Sequence, residues 1–258
     1  MRGKQLREKL ANGRPIFTAF VTFYAPRLVE IFARSGADQI FLDAEHGPLS
    51  ERDCEDMIRA ADLFDVPCQI RVPVNEPHVI LRFLDIGASN IMVPHVTTAE
   101  DAQKAVRAVR YPPAGERGYS MGRGGAHWGL SPADYMRRAN EEVLVTALFE
   151  DVAGLDDVET MAQVAGLDGI FVGRFDLAAS MGLVGQPWHD DVEAAVRRVR
   201  TACKKHEMPF GTVPRNRDEL LAHVEAGNLL VSLNPVDWAV EVTRNVVTQL
   251  SQVRPTQG

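Results

Sequence analysis

Lysine is scarce: Lys4, Lys9, Lys104, Lys204 and Lys205 are the only ones in 258 residues, and all lie at the N-terminus or in stretches of helical periodicity. A Schiff-base mechanism needs a lysine buried in a reactive mouth. A chain of this kind that activates a carbonyl compound must therefore use a metal. Cysteine is scarcer still. Cys54, Cys68 and Cys203 form no C-x-x-C pair and are odd in number, which fits buried, inert thiols in a reducing compartment and not a disulfide framework. No apolar run approaches the roughly 18 residues of a bilayer span, and the charged start MRGKQLREKL lacks the apolar stretch of a signal peptide. Membrane association is excluded on this reading, and a cytoplasmic protein is expected. Basic residues number 28 against 35 acidic ones, a net charge of -7 with no basic stripe, so nucleic-acid binding is not expected. Neither a G-x-G-x-x-G nor a P-loop spacing occurs.

What is present is an ordinary globular balance, 45% apolar and 24% charged residues, with no linker that would divide the chain. A single domain over 1–258 is expected. Short β-branched apolar runs recur: IFTAFVTF from 16, DQIFLDAE from 38, PCQIRVP from 67, NIMVPHV from 90, VLVTALFE from 143, GIFVGRF from 169, PFGTVP from 209 and NLLVSLNP from 228. Helical periodicity follows each, with Ser50, Thr98 and Asn216 as N-caps and Gly227 as a stop. Repeated βα units of this number and spacing predict an α/β fold, a (β/α)8 TIM barrel. One connection is long: residues 111–140, rich in Pro and Gly, read as a lid or an interface arm.

In such a barrel, binding residues collect where strands end. The strand ends here offer Glu45 and His46, Arg71, Pro94 and His95, Glu150 and Asp151, Arg174 and Asp176, and Asn234 and Asp237. Glu150 and Asp176 end consecutive strands, and two carboxylates there repel unless a cation or proton lies between them. A divalent cation, Mg2+, Mn2+ or Co2+, answers this; salt bridges to Arg174 or Arg71 answer it equally. Arg71 carries a planar fork for a carboxylate or oxyanion, or else for Glu45. His46, oriented by a carboxylate such as Asp85, is placed to act as a general base. Gly122, Arg123, Gly124, Gly125, His127 and Trp128 form a loop that closes over a substrate, with Arg123 as a binding residue, reaches a neighbouring subunit, or is a surface excursion packed by Trp128. The loops after the last two strands lack the Gly-rich turns of a barrel phosphate site, although Arg215 and Arg217 keep a phosphorylated substrate open.

Several stretches taken together resemble the HpcH/HpaI aldolase family of metal-dependent pyruvate aldolases. They are LDAEHGP at 42–48, RVP at 71–73, LDIGASNIMVPHVTTAEDA at 84–102, RYPPAGERG at 110–118, Glu150-Asp151, and GLDGIFVG with DLAASMG between 166 and 182. The resemblance implies a hexamer whose subunits exchange their last helix, and a class II-type cleavage of a 2-oxo acid into pyruvate and an aldehyde. It implies that Glu150 and Asp176 hold the metal, that Arg71 stabilises the enolate oxygen, and that His46 with Asp85 handles the proton. The loop of Gly173, Arg174 and Phe175 would take the pyruvate carboxylate. The chain departs from the family pattern in three places. Leu148 stands where a glutamine usually reaches the substrate, Gly173-Arg174-Phe175-Asp176 replaces Gly-Pro-Ser/Ala-Asp, and VSLNPVDWAV replaces a small-residue pattern. These departures keep two alternatives in view: another metal-enolate reaction (oxaloacetate decarboxylation, condensation or acyl-CoA lysis), or a non-catalytic binding barrel.

Overall fold

Each run expected to be a strand is one: β1 Ile16–Val21, β2 Gln39–Asp43, β3 Cys68–Arg71, β4 Asn90–Val93, β5 Leu144–Phe149, β6 Gly169–Val172, β7 Phe210–Thr212 and β8 Leu230–Leu233. This is a computed structural model, and it describes residues 3–120, 122–123 and 129–252. All the strands pair in parallel, each with its neighbour in sequence, and β8 returns to β1 to close a (β/α)8 barrel. The helices are α1 Gly3–Ala11, α2 Pro26–Arg34, α3 Glu51–Asp62, α4 Pro77–Asp85, α5 Ala99–Val109, α6 Pro132–Glu142, α7 Val158–Met161, α8 Arg174–Ser180, α9 Asp190–Lys205, α10 Glu219–Glu225 and α11 Pro235–Ser251. Among the described residues no helix is long and apolar enough to cross a membrane.

Local chemistry sets the helix starts. Ser50 and Thr98 each accept a hydrogen bond from the backbone of the aspartate three residues on, Asp53 and Asp101, whose side chains bond back: two capping boxes. Asn216 accepts from the Glu219 N–H at 3.0 Å, but α10 begins only at Glu219, after a turn over 216–218. Gly227 stands just beyond that helix with φ +81°, the left-handed geometry expected of a stop.

The barrel interior is layered because alternate strand residues point inward. At the bottom, Leu6 of α1 packs against Ile16 and Leu144. Above it lies a buried polar layer. Gln39 donates to Thr18 and Gln69, Gln69 to Thr146, Asn90 to Gln39, and Thr146 to Asn90, all at 3.2 Å. Next comes an apolar layer of Phe41, Met92, Leu148 and Phe171, with Phe20 and Val213 packed on it. One step further along each strand the interior residues are the mouth.

The insertion 111–140 connects α5 to β5, and in a βα barrel such αβ connections lie at the end away from the mouth. Its second half is α6, capped by Ser131, and its first half is tied down by Tyr111, whose N–H donates to Asn140 at 2.7 Å and whose ring carries the Arg117 guanidinium at 4.5 Å. The described part of the insertion thus lies away from the mouth. Gly124, Gly125, His127 and Trp128 lie outside the described residues.

Candidate active site

β2 and β3 run in register so that Asp43 lies beside Arg71. The guanidinium grips this carboxylate with both edges, Nε to Oδ1 at 3.0 Å and Nη2 to Oδ2 at 2.5 Å. Asp43 also accepts from the backbone N–H groups of Glu45 and His46, at 3.1 and 3.2 Å, which fixes the start of the following loop. Burial opposes charge on both Asp43 and Arg71. Their mutual bond prevails, holding the aspartate below and the arginine above its ordinary pKa. Gly47 lets the loop turn back, since a Cβ there would sit 2.3 Å from the Asp43 carbonyl oxygen.

Facing this pair is an acidic cluster. Glu150, just beyond β5, is 2% exposed, and its pKa is raised to about 7 by burial; His95 counteracts part of that, while Glu45 and Asp176 add to it. His95 follows β4 at φ +52°, a strained conformation for a residue other than glycine, and its N–H donates to Glu150 Oε1 at 3.0 Å. Its ring nitrogens stand 3.5 Å from Glu150 and 3.7 Å from Glu45. The Glu45 pKa is raised by burial. Its Oε2 lies 3.2 Å from Arg71 Nη1 but off the hydrogen-bond direction, and so has no hydrogen-bond partner.

Ligand atoms of Glu45, His95 and Glu150 lie within 4.8 Å of one another. A buried, unsatisfied carboxylate oxygen beside a second carboxylate driven toward its neutral form is an environment that a divalent cation relieves. The salt-bridge alternative is not what the structure contains: among the described residues neither Arg71 nor Arg174 is ion-paired to Glu150 or Asp176. Arg174 turns away from the mouth. It is 2% exposed and donates to Glu193 at 2.7 and 3.4 Å and to Thr212 Oγ1 at 3.1 Å.

The mouth is a cavity of ≈ 260 Å3 lined by Asp43, His46, Arg71, Glu150, Gly173 and Asp176, among others. Gly173 is needed there, because a Cβ would approach Glu150 Oε2 to 2.9 Å. Phe175 points outward at the rim, and His46 is exposed, 3.9 Å from Glu45. Two expected site residues are elsewhere. Asp85 ends α4 at the far end of the barrel and binds Arg117 at 3.1 Å, so it does not orient His46 of its own chain. Arg123 lies at that same end, bonded to Asp62 at 2.6 Å and to the Ile86 carbonyl.

Sequence reasoning left Asp43 and His95 without roles. For Asp43 the signal was available: Gln39, Phe41 and Asp43 share one phase of a period-two strand, and that phase is the barrel interior.

The closed (β/α)8 barrel sets an acidic cluster that could hold a metal ion beside an immobilised arginine. The chain belongs to the HpcH/HpaI aldolase/citrate lyase family, whose model matches residues 17–234. It is 36% identical over 208 residues, 81% of each chain, to a 5-keto-4-deoxy-D-glucarate aldolase of Klebsiella pneumoniae. It is 32% identical over 252 residues, 95% of this chain and 96% of the other, to a hydroxypyruvate/pyruvate aldolase of Paraburkholderia phytofirmans. A solved HpcH/HpaI family protein from Burkholderia cenocepacia superposes with a TM-score of 0.89 at 33% identity, covering 96% of this chain and 99% of that one.

Proposed function

We propose that the protein is a divalent-metal-dependent aldolase that cleaves or forms a C–C bond in a 2-oxo acid through a pyruvate enolate. The observation that carries this reading is the Glu45–His95–Glu150 cluster set beside Arg71, itself fixed on Asp43, at a small cavity that Arg71, Glu150 and Asp176 line. Glu150 and Asp176 hold the cation, with Glu45 and His95 within reach; the mainly oxygen donor set suits Mg2+, Mn2+ or Co2+. A cation held there would supply Lewis-acid stabilisation of the charge that develops on the substrate. Arg71 donates to the oxygen on which enolate charge develops. Because Asp43 already orients it, little reorganisation is required as the bond breaks. The backbone over Gly173–Asp176 takes the carboxylate, while the Arg174 side chain stays committed to Glu193.

His46 moves the proton at the methyl carbon. Asp85 supports His46, and Arg123 reaches substrate, only between copies of the chain, which matches the hexamer that family resemblance implies. The exposed valines of α11 are the surface for that assembly. The test is proton NMR of pyruvate in D2O with the protein and Mg2+, Mn2+ or Co2+. The methyl signal should decay by deuterium exchange, and chelator should stop the decay. A constant signal with cation bound would overturn the reading.

A further inference from the structure

At the end of the barrel opposite the mouth, a cleft of ≈ 690 Å3 lies where α1, α9 and α10 end and β7 and β8 begin. Leu10, Met208, Phe210 and Leu229 give it apolar walls. Its charged lining residues are Arg200, Lys204, Glu207 and Glu225, and among the described residues none of their side chains makes a hydrogen bond or an ion pair.

Arg200 is half-buried. Its guanidinium lies over the Phe210 ring at 5.4 Å, its Nε is buried without a hydrogen-bond partner, and burial pushes its pKa down, which Glu193 and Glu219 oppose only in part. Asn228 lines the same cleft, is 2% exposed, and has no partner for either its Oδ1 or its Nδ2. Buried donors and acceptors left in this state cost stability, and a ligand that meets them restores it. Glu207 stands just past the end of α9 at φ +55°, where glycine would close the helix without strain. The strain is carried by a residue whose side chain belongs to the cleft.

The charges select a ligand. A guanidinium fork beside an amide N–H suits a carboxylate. The two glutamates, with the negative C-terminal ends of α1 and α9, disfavour a phosphate dianion and favour an ammonium group. Two cations and two anions in the lining are matched by a ligand that carries one of each, and the apolar walls take a hydrocarbon chain.

We propose that this cleft binds an α-amino acid with an apolar side chain. The carboxylate takes Arg200 and the Asn228 amide N–H, the ammonium lies toward Glu207 and Glu225, and the side chain lies along Phe210 and Met208. The site is separate from the metal pocket and does not depend on which reaction occurs there.

The experiment is calorimetric titration of the full-length protein, in the presence of Mg2+, with L-leucine as the probe. Three further titrations use 4-methylpentanoate, which lacks the ammonium, 3-methylbutylamine, which lacks the carboxylate, and inorganic phosphate. Leucine should saturate, and each of the other three should bind about tenfold more weakly or worse, the loss of one charge-assisted contact. Arg200→Met, which keeps packing on Phe210, should weaken leucine about tenfold or more, and Asn228→Ala about threefold or more. Should Arg200→Met fold poorly, Glu225→Gln, at an exposed position, decides: it should weaken leucine about threefold or more without weakening 4-methylpentanoate. Glu150→Gln, in the mouth, should leave leucine binding as it was. Absence of saturable leucine binding would overturn the inference, and so would phosphate or 4-methylpentanoate binding as tightly as leucine. Leucine binding that survives Arg200→Met, or vanishes with Glu150→Gln, would place the amino acid elsewhere and overturn it equally.

Discussion

Replacing Asp43 with asparagine isolates the contribution of the group that aims Arg71. The substitution keeps side-chain size but leaves one carbonyl oxygen where there were two charged ones. That oxygen, in the place of Oδ1, can keep the Glu45 and His46 amides and the Nε edge of the guanidinium, while the new NH2 group faces Nη2 donor to donor. One charge-assisted bond between buried groups is lost, about 1.5–3 kcal/mol, and the uncompensated charge on Arg71 brings the total to roughly 2–4 kcal/mol. For a barrel of this size that is a fall of about 5–15 °C in Tm. Arg71 retains Glu45 at 3.2 Å and will turn toward it. A displacement of about 1 Å from the enolate oxygen costs on the order of a hundredfold in rate. The assay pairs thermal unfolding by circular dichroism with pyruvate deuterium exchange and calorimetric titration of the cation. Exchange should fall about a hundredfold while cation affinity changes less than threefold. Exchange within threefold of the unaltered protein, or a loss explained by weaker cation binding, would refute the role given to Asp43.

Glu150→Gln should weaken Mg2+ or Mn2+ binding by about a hundredfold in calorimetry and abolish exchange, since it removes a charge from the most buried corner of the cluster. Arg174→Met leaves Glu193 only the more distant Arg215, at 3.9 Å, and should cost about 3 kcal/mol of stability; Arg174→Lys should recover little of it, because an ammonium cannot reproduce the forked contact. His223 is buried among Glu219, Glu193, Arg174 and Arg200, and burial, with the arginines, holds its pKa below 6.5. Below about pH 6.5 the unfolded chain takes up a proton that the folded chain refuses, so stability should fall as pH drops through that point and stay level above it. His223→Leu should flatten that dependence, as read from Tm against pH. Finally, α11 has no buried residue and shows Val246, Val247 and Leu250 to solvent. Val247→Glu combined with Leu250→Glu should reduce the mass measured by light scattering, and an unchanged mass would remove α11 from the assembly surface.

The strands were legible because each is a short β-branched run between turn residues, and two helix starts because Ser50 and Thr98 sit three residues before an aspartate. The start of α10 was not, since Asn216 reaches the same backbone N–H from a turn as from a cap. At the site, sequence could show that Arg174 ends a strand but not that its partner would be Glu193, on α9. Asp43 was obscured by the acidic residue two places on. Only the pairing of β2 with β3 sets it beside Arg71. Asp85 and Arg123 lie at the far end of the barrel, bonded to Arg117 and Asp62, partners that no local sequence pattern reveals.

The amide and hydroxyl layer beneath the mouth bears on how this barrel can change over time. Its members bond across five successive strands, and a slip of one residue in any of them would turn an amide outward into apolar packing and strand its neighbours. The staves are thus keyed to each other below the level at which chemistry occurs. Residues one and two steps above, Leu148 among them, can then be exchanged by mutation without shifting the frame. A descendant lineage can acquire a new acceptor preference while its cation site stays where it was.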